Sequence, residues 1–208
     1  MTLLTSKPTE VGKAKSEVGK AKSATIETYL RRGARLRETT ISLTSEIEKA
    51  AEAISNCFRN GGRLYAFGNG GSAADAQHIV AEFIGRFRVD RDPLPAEALT
   101  TNSSAVTAIA NDYAFEEIFA RQVKALARTG DVAIGISTSG ESKNVLKGLQ
   151  AARQSHAMTI GLCGQKGRMK LYCDILLSVP SDETSLIQEM HISIGHLLCL
   201  LVEEDLFG

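Results

Sequence analysis

Between residues 24 and 60 the apolar positions Ile26, Tyr29, Leu30, Leu36, Ile41, Leu43, Ile47, Ala50, Ile54, Cys57 and Phe58 recur at the spacing of a helix face, and Gly61 and Gly62 follow as a stop. A break is expected near Gly33 or at Thr39 and Thr40, so the segment reads as two helices. Beyond it the pattern changes. Short apolar runs at residues 63–67, 98–101, 131–137, 158–163 and 175–179 read as strands separated by helical stretches, and residues 185–206 read as a strongly apolar final helix carrying Gln188, His191 and His196. This alternation predicts an α/β fold, a parallel sheet covered by helices on both faces, with ligand sites at the carboxyl ends of the strands. Two helices ahead of the first strand carry more apolar surface than one sheet is expected to cover, which points to an oligomer, with helix packing inside one chain as the plainer alternative.

Residues 10–16 and 17–23 are the same seven residues, Glu-Val-Gly-Lys-Ala-Lys-Ser, twice over. One valine per copy cannot bury a seam, so residues 1–23 are expected to form a solvated, disordered arm, with a transient helix or recruitment tail as the alternative, ahead of one domain over residues 24–208. Composition narrows the function classes. Lysine plus arginine and aspartate plus glutamate number 24 each, so no global field favours nucleic acid or an anionic membrane, and any anion site must be local. No apolar run is read as reaching the roughly 20 residues that span a bilayer, and no signal segment is read at the N-terminus, so a cytoplasmic protein with no membrane partner is expected. Cys57, Cys163, Cys173 and Cys199 form no C-x-x-C pair and read as buried reduced thiols.

Two loops carry the chemistry. Gly68-Asn69-Gly70-Gly71-Ser72 follows the first strand and opens a helix, where bare backbone N–H groups can face an anion. His78 and Glu82 follow on that helix, four apart and therefore on one face, as an acid/base or metal-binding pair. Ser137-Thr138-Ser139-Gly140-Glu141-Ser142 follows the third strand, and its hydroxyls together with a helix N-terminus make the stronger phosphate pocket; a capped turn is the plainer alternative. Neither loop ends in Gly-Lys-Ser/Thr, so nucleotide is not the expected ligand. On the final helix His196 lies about 80° from Gln188 and His191 about 60° the other way, so the two histidines cannot face one point.

Taken in order, Phe67-Gly68-Asn69-Gly70-Gly71-Ser72 with Ala74-Asp75-Ala76, Ala110-Asn111-Asp112-Tyr113, Gly135 to Ser142, and Gln188-Glu189-Met190-His191 resemble the sugar isomerase (SIS) family, and within it the phosphoheptose isomerases. The resemblance runs from about Ala24 to Leu206. It implies a five-stranded parallel sheet of flavodoxin-like type sandwiched by helices, a homotetramer with shared active sites, and conversion of sedoheptulose 7-phosphate to glycero-manno-heptose 7-phosphate. It places phosphate on Ser137, Thr138, Ser139 and Ser142, and sugar on Asn69, Gly70, Gly71, Glu82, Asn111, Asp112 and Gln188. The implied acid/base pair is Glu82 and His196, and the implied zinc ligands are His78, Glu82, Gln188 and His196. It selects His196 over His191, which is left at a helix interface or the rim. The loop Gly164-Gln165-Lys166-Gly167-Arg168-Met169-Lys170 is one glycine short of the family's double glycine, and no site is carried over from it.

Aldose–ketose isomerisation moves a proton between adjacent carbons through an enediol, which needs a base over the carbon and an acid at the oxygens. A glutamate raised by burial and a histidine suit those roles. Two alternatives stand beside this reading. One is a noncatalytic phosphosugar-binding regulator or scaffold of the replication-initiator-associating type, against which Glu82 and His196 both weigh. The other is an aminosugar or pentose phosphate isomerase of the same family.

Overall fold

A computed structural model describes the backbone from Glu10 and the side chains from Lys22 to Gly208; residues 1–9 lie outside the described residues. The chain divides into two compact units, one ending at Glu38 and the other spanning residues 39–208. The first unit is the greater part of helix α1 (Glu10–Thr40). Where the sequence suggests a disordered arm through residue 23, the backbone is already helical from Glu10. Alanine, lysine and glutamate dominate the repeat and are strong helix formers, so it extends the helix that follows. Ile26 and Leu30, one turn apart, are 61% and 65% exposed, beside an exposed Glu27–Arg31 ion pair.

In the second unit α1 ends at Thr40 and a single 3-10 turn (Ile41–Leu43) leads into α2 (Thr44–Arg59). The helix therefore passes Gly33 and breaks at the threonines. Ser42 Oγ and Thr44 Oγ1 donate to the carbonyls of Thr39 and Ile41, local bonds that compete with the helical ladder. At the far end, Gly62 N–H bonds to Cys57 O and Gly61 N–H to Phe58 O, the two bonds of a Schellman stop.

Five parallel strands follow, β1 (Leu64–Gly68), β2 (Ala96–Ala98), β3 (Val132–Ser137), β4 (Met158–Gly164) and β5 (Ile175–Val179), in the order β2-β1-β3-β4-β5. β2 is shorter and earlier than its apolar run suggests. Thr101 turns back on Ala98 O through its N–H and hydroxyl, and Asn102 caps the next helix by accepting from Ala105 N–H, so turn chemistry overrides the β-branched threonines.

Helices α2, α3 (Gly71–Ile84) and α7 (Thr184–Phe207) pack on one face, and α4 (Ser103–Asp112), α5 (Ile118–Leu126) and α6 (Lys143–Gln154) on the other. Alternate strand residues serve the two faces: Tyr65, Phe67 and Ala133 join the core under α5 and α6, where Phe67 stacks on Phe119 with centroids 5.1 Å apart, an aromatic pairing worth about 1 kcal/mol beyond burial. All four cysteines are buried and unpaired. α7 corrects one expectation: with a mean hydropathy of 1.4 it is long and apolar enough to cross a membrane, but half of that stretch is buried inside the protein. It packs on α2 and α3 as a core helix.

β1 and β3 are neighbours although α3 and β2 intervene in sequence. Their carboxyl ends stand level, with Gly68 opposite Ile136, and this is the switch point of a doubly wound sheet.

Candidate functional site

Both loops leave the sheet at that switch point. After β3, Ser137 Oγ lies 2.9 Å from Ser142 Oγ and 3.3 Å from Ser139 Oγ, so three hydroxyls converge just before the first turn of α6. Gly167 and Lys166 press against the carbonyl of Ser139 and against Gly140. Arg168 Nε sits 3.0 Å from Glu141 Oε2, clipping this second loop to the first. The segment after β4, from which the sequence yields no site, is therefore a wall of the serine loop. Thr138 takes part through its backbone, its carbonyl accepting Gly164 N–H.

After β1, Asn69 exchanges two amide hydrogen bonds with the buried Asn144 of α6, at 2.9 and 2.8 Å. Asn144 Oδ1 also accepts Val145 N–H, so one amide joins the two loops. Gly70 precedes α3, and the Gln188 amide lies directly over Gly71.

Further along α3 the packing of α7 assembles a second cluster. A Cβ at Gly195 would stand 2.5 Å from Ile79 Cγ1, so a glycine is required for the two helices to approach this closely. Their neighbours then meet: His196 Nε2 is 3.3 Å from His78 Nε2, and His78 Nε2 is 3.1 Å from Glu82 Oε1. One potential ligand atom from each residue lies within 4.8 Å of the others. Two imidazole nitrogens and a carboxylate oxygen at this separation suit a divalent cation such as zinc. Gln188 makes no hydrogen bond to this trio among the described residues. Phe87 stacks on His196 at 26° with centroids 5.6 Å apart, a contact with no signal in the sequence.

Asp75, one turn before His78, is half-buried and its Oδ2 has no hydrogen-bond partner among the described residues. Burial pushes its carboxyl up to about 6, and the neighbouring His78 pulls the other way. His191 is fully buried rather than at a rim, with neither ring nitrogen hydrogen-bonded among the described residues. Burial pushes it down to about 4, the nearby Cys163 backbone offsetting only part. Asn111 and Asp112 are exposed at the end of α4 and bond to each other; no hydrogen bond among the described residues ties them to the rest of the site.

Comparison with known proteins now joins this geometry. Residues 28–164 match the SIS domain family. The phosphoheptose isomerase of Solidesulfovibrio magneticus is 51% identical over 183 residues, covering 88% of this chain and 90% of that protein. Solved phosphoheptose isomerases from Neisseria gonorrhoeae and Francisella tularensis superpose with TM-scores of 0.83 and 0.85 at 40% and 36% identity, each covering 88% of this chain and 98% of the other. The five-stranded sheet, the loop pair at its switch point and these likenesses agree, and the chain belongs to the SIS domain family, among its phosphoheptose isomerases.

Proposed function

We propose that this protein isomerises D-sedoheptulose 7-phosphate to D-glycero-D-manno-heptose 7-phosphate, the first step of bacterial ADP/GDP-heptose synthesis. The observation that carries the reading is the meeting of Glu82, His78 and His196 on two helices that leave the serine loop free for an anion.

The phosphate is held by Ser137, Thr138, Ser139 and Ser142, with the N-terminus of α6 favouring negative charge. Asn69, Gly70, Gly71, Asn111, Asp112 and Gln188 hold the sugar hydroxyls. Glu82 removes the C1 proton of the ketose while His196 supplies a proton at the carbonyl oxygen; the enediol takes a proton at C2 and loses one from O1, leaving the aldose. Zinc, held by His78, Glu82, Gln188 and His196, would polarise the sugar oxygens when bound; a Glu82 oxygen on the metal would be a weaker base, so Glu82 and His196 move protons only with the ion displaced or loosely held. No nucleotide, nucleic acid or membrane enters the reading, and the protein is placed in the cytoplasm.

One functional domain over residues 24–208 assembles as a homotetramer with shared active sites. The exposed Ile26 and Leu30 of α1 support association, and sharing gives the exposed Asn111 and Asp112 a substrate in a neighbouring subunit. Mass measurement by light scattering should return four chains; a monomer sinks that part.

The direct test incubates the protein with sedoheptulose 7-phosphate and detects an aldoheptose 7-phosphate. Wild type should turn over, and Glu82→Gln and His196→Ala should each lose about a hundredfold or more in kcat. An inactive wild type, or full activity in both variants, overturns the assignment. The noncatalytic alternative is not favoured: the similar proteins are isomerases by name.

A further inference from the structure

Glu203 lies two turns beyond His196 on α7, 4% exposed, and no part of the proposed chemistry uses it. Its carboxylate is saturated with donors from one segment. Oε1 accepts Arg88 N–H at 2.8 Å and Val89 N–H at 2.9 Å; Oε2 accepts Phe87 N–H and Arg91 Nε, each at 3.2 Å. Burial alone would lift this carboxyl, and the donors override it, holding it below its ordinary value. The Arg91 guanidinium, itself buried, reaches the other way, with Nη2 donating to Glu82 O and Nη1 to Phe83 O. One carboxylate thus fixes the segment whose Phe87 ring stacks on His196, and its arginine partner fixes the last turn of the helix that carries Glu82.

Buried ion pairs add little net stability over apolar replacements and are best retained where they specify a geometry. We propose that Glu203, with Arg91, is a positioning residue for the isomerase site: it holds Phe87 against the His196 imidazole and the Glu82 turn in place, so that acid and base face one substrate. The inference rests on the isomerase reading given above. It assigns the segment at residues 86–91 a task in proton transfer rather than in binding the substrate. Placement errors well below the size of a side chain cost proton-transfer steps heavily, whereas substrate affinity, set by the two loops, should be spared.

Three variants test this. Glu203→Gln keeps an acceptor for Arg88 and Val89 but, with its amide toward Phe87 N–H and Arg91, loses the other half. Phe87→Leu keeps every backbone bond and removes the stacked ring. Each should lower kcat about tenfold or more with KM within about twofold, and the double variant should be no worse than the poorer single, as for two members of one unit. Hydrogen exchange at residues 86–91 should rise about tenfold in Glu203→Gln and stay unchanged in Phe87→Leu. Wild-type kcat in Phe87→Leu, multiplicative losses in the double variant, or unchanged exchange in Glu203→Gln each overturn the proposal. If Glu203→Gln does not fold, Phe87→Leu decides by its kcat. If wild type does not convert sedoheptulose 7-phosphate, the isomerase reading has failed and the proposal fails with it, whereas an active wild type with full-speed Phe87→Leu sinks the positioning role alone.

Discussion

His196 Nε2 and His78 Nε2 face each other across 3.3 Å on different helices. Only one hydrogen fits between two ring nitrogens at that distance, so either one donates to the other or both lone pairs face a cation. Glu82 Oε1, 3.1 Å from that same His78 nitrogen, supplies negative charge to a cation held there. Protein stripped with a chelator should therefore bind zinc at one ion per chain, and His78→Ala should weaken that binding by about a hundredfold. Calorimetric titration with zinc checks this; equal affinity in the variant removes His78 from the ligand set.

The closeness of those two histidines depends on Gly195. In Gly195→Ala the new methyl meets Ile79 at a distance carbon atoms do not tolerate, so α7 must move outward and take His196 with it. Overpacking of this kind costs about 1–3 kcal/mol. The expected outcome is a lower melting temperature together with loss of both turnover and zinc binding. Pairing it with Ile79→Val, which removes a methyl from the crowded side chain, should recover part of each; no recovery would place the strain elsewhere.

How much of this was legible in the sequence varies from residue to residue for physical reasons. The strands were, because buried parallel strands write themselves as apolar runs; β2 shifted because Thr101 and Asn102 satisfy their backbone locally. His78 and Glu82 share a face by spacing alone. Their meeting with His196 was not available from spacing, since it depends on one close helix crossing, and only the family resemblance pointed to it. Asn144, Phe87 and Arg168 left no signal, since an asparagine early in a helix, a loop phenylalanine and a surface arginine are ordinary until tertiary contacts give them partners.

Arg168 lends itself to a kinetic test. Its partner Glu141 lies inside the serine loop, so Arg168→Ala leaves an uncompensated carboxylate beside the incoming phosphate. Both side chains are exposed, so the pair itself contributes little to stability, about 0–1 kcal/mol. KM should rise about three- to tenfold with kcat nearly unchanged, and inorganic phosphate should inhibit correspondingly less well. Arg168→Ala/Glu141→Gln should restore most of the loss. A KM that does not respond in the single variant contradicts the charge argument.

Asn144 is a similar case inside the protein. It is buried and holds Asn69 through two hydrogen bonds. Asn144→Ala frees the Asn69 amide and strands Val145 N–H, at a cost of about 1–3 kcal/mol. Melting temperature should fall and KM should rise together, because the same amide that stabilises the loop pair aims a sugar-binding side chain. Asn144→Asp, which keeps the acceptor for Asn69 Nδ2 and Val145 N–H, should fall between wild type and the alanine variant in both measurements.

His191 gives a prediction in which stability moves and catalysis does not. Its imidazole is fully buried, without a hydrogen bond among the described residues, and is held neutral by burial, down to about 4 against an ordinary value of 6.5. As pH falls through 6.5 the unfolded chain takes up a proton that the folded chain refuses. Stability present above pH 6.5 is therefore lost progressively down to about pH 4, by roughly 3 kcal/mol for this one group. His191→Leu removes the titration and the two unsatisfied nitrogens while keeping similar volume. It should raise the melting temperature slightly at pH 8 and by a larger margin at pH 5, with kcat and KM at pH 8 unchanged. A variant whose advantage is the same at both pH values would show that His191 is not the group responsible, and a fall in kcat would return it to the active site.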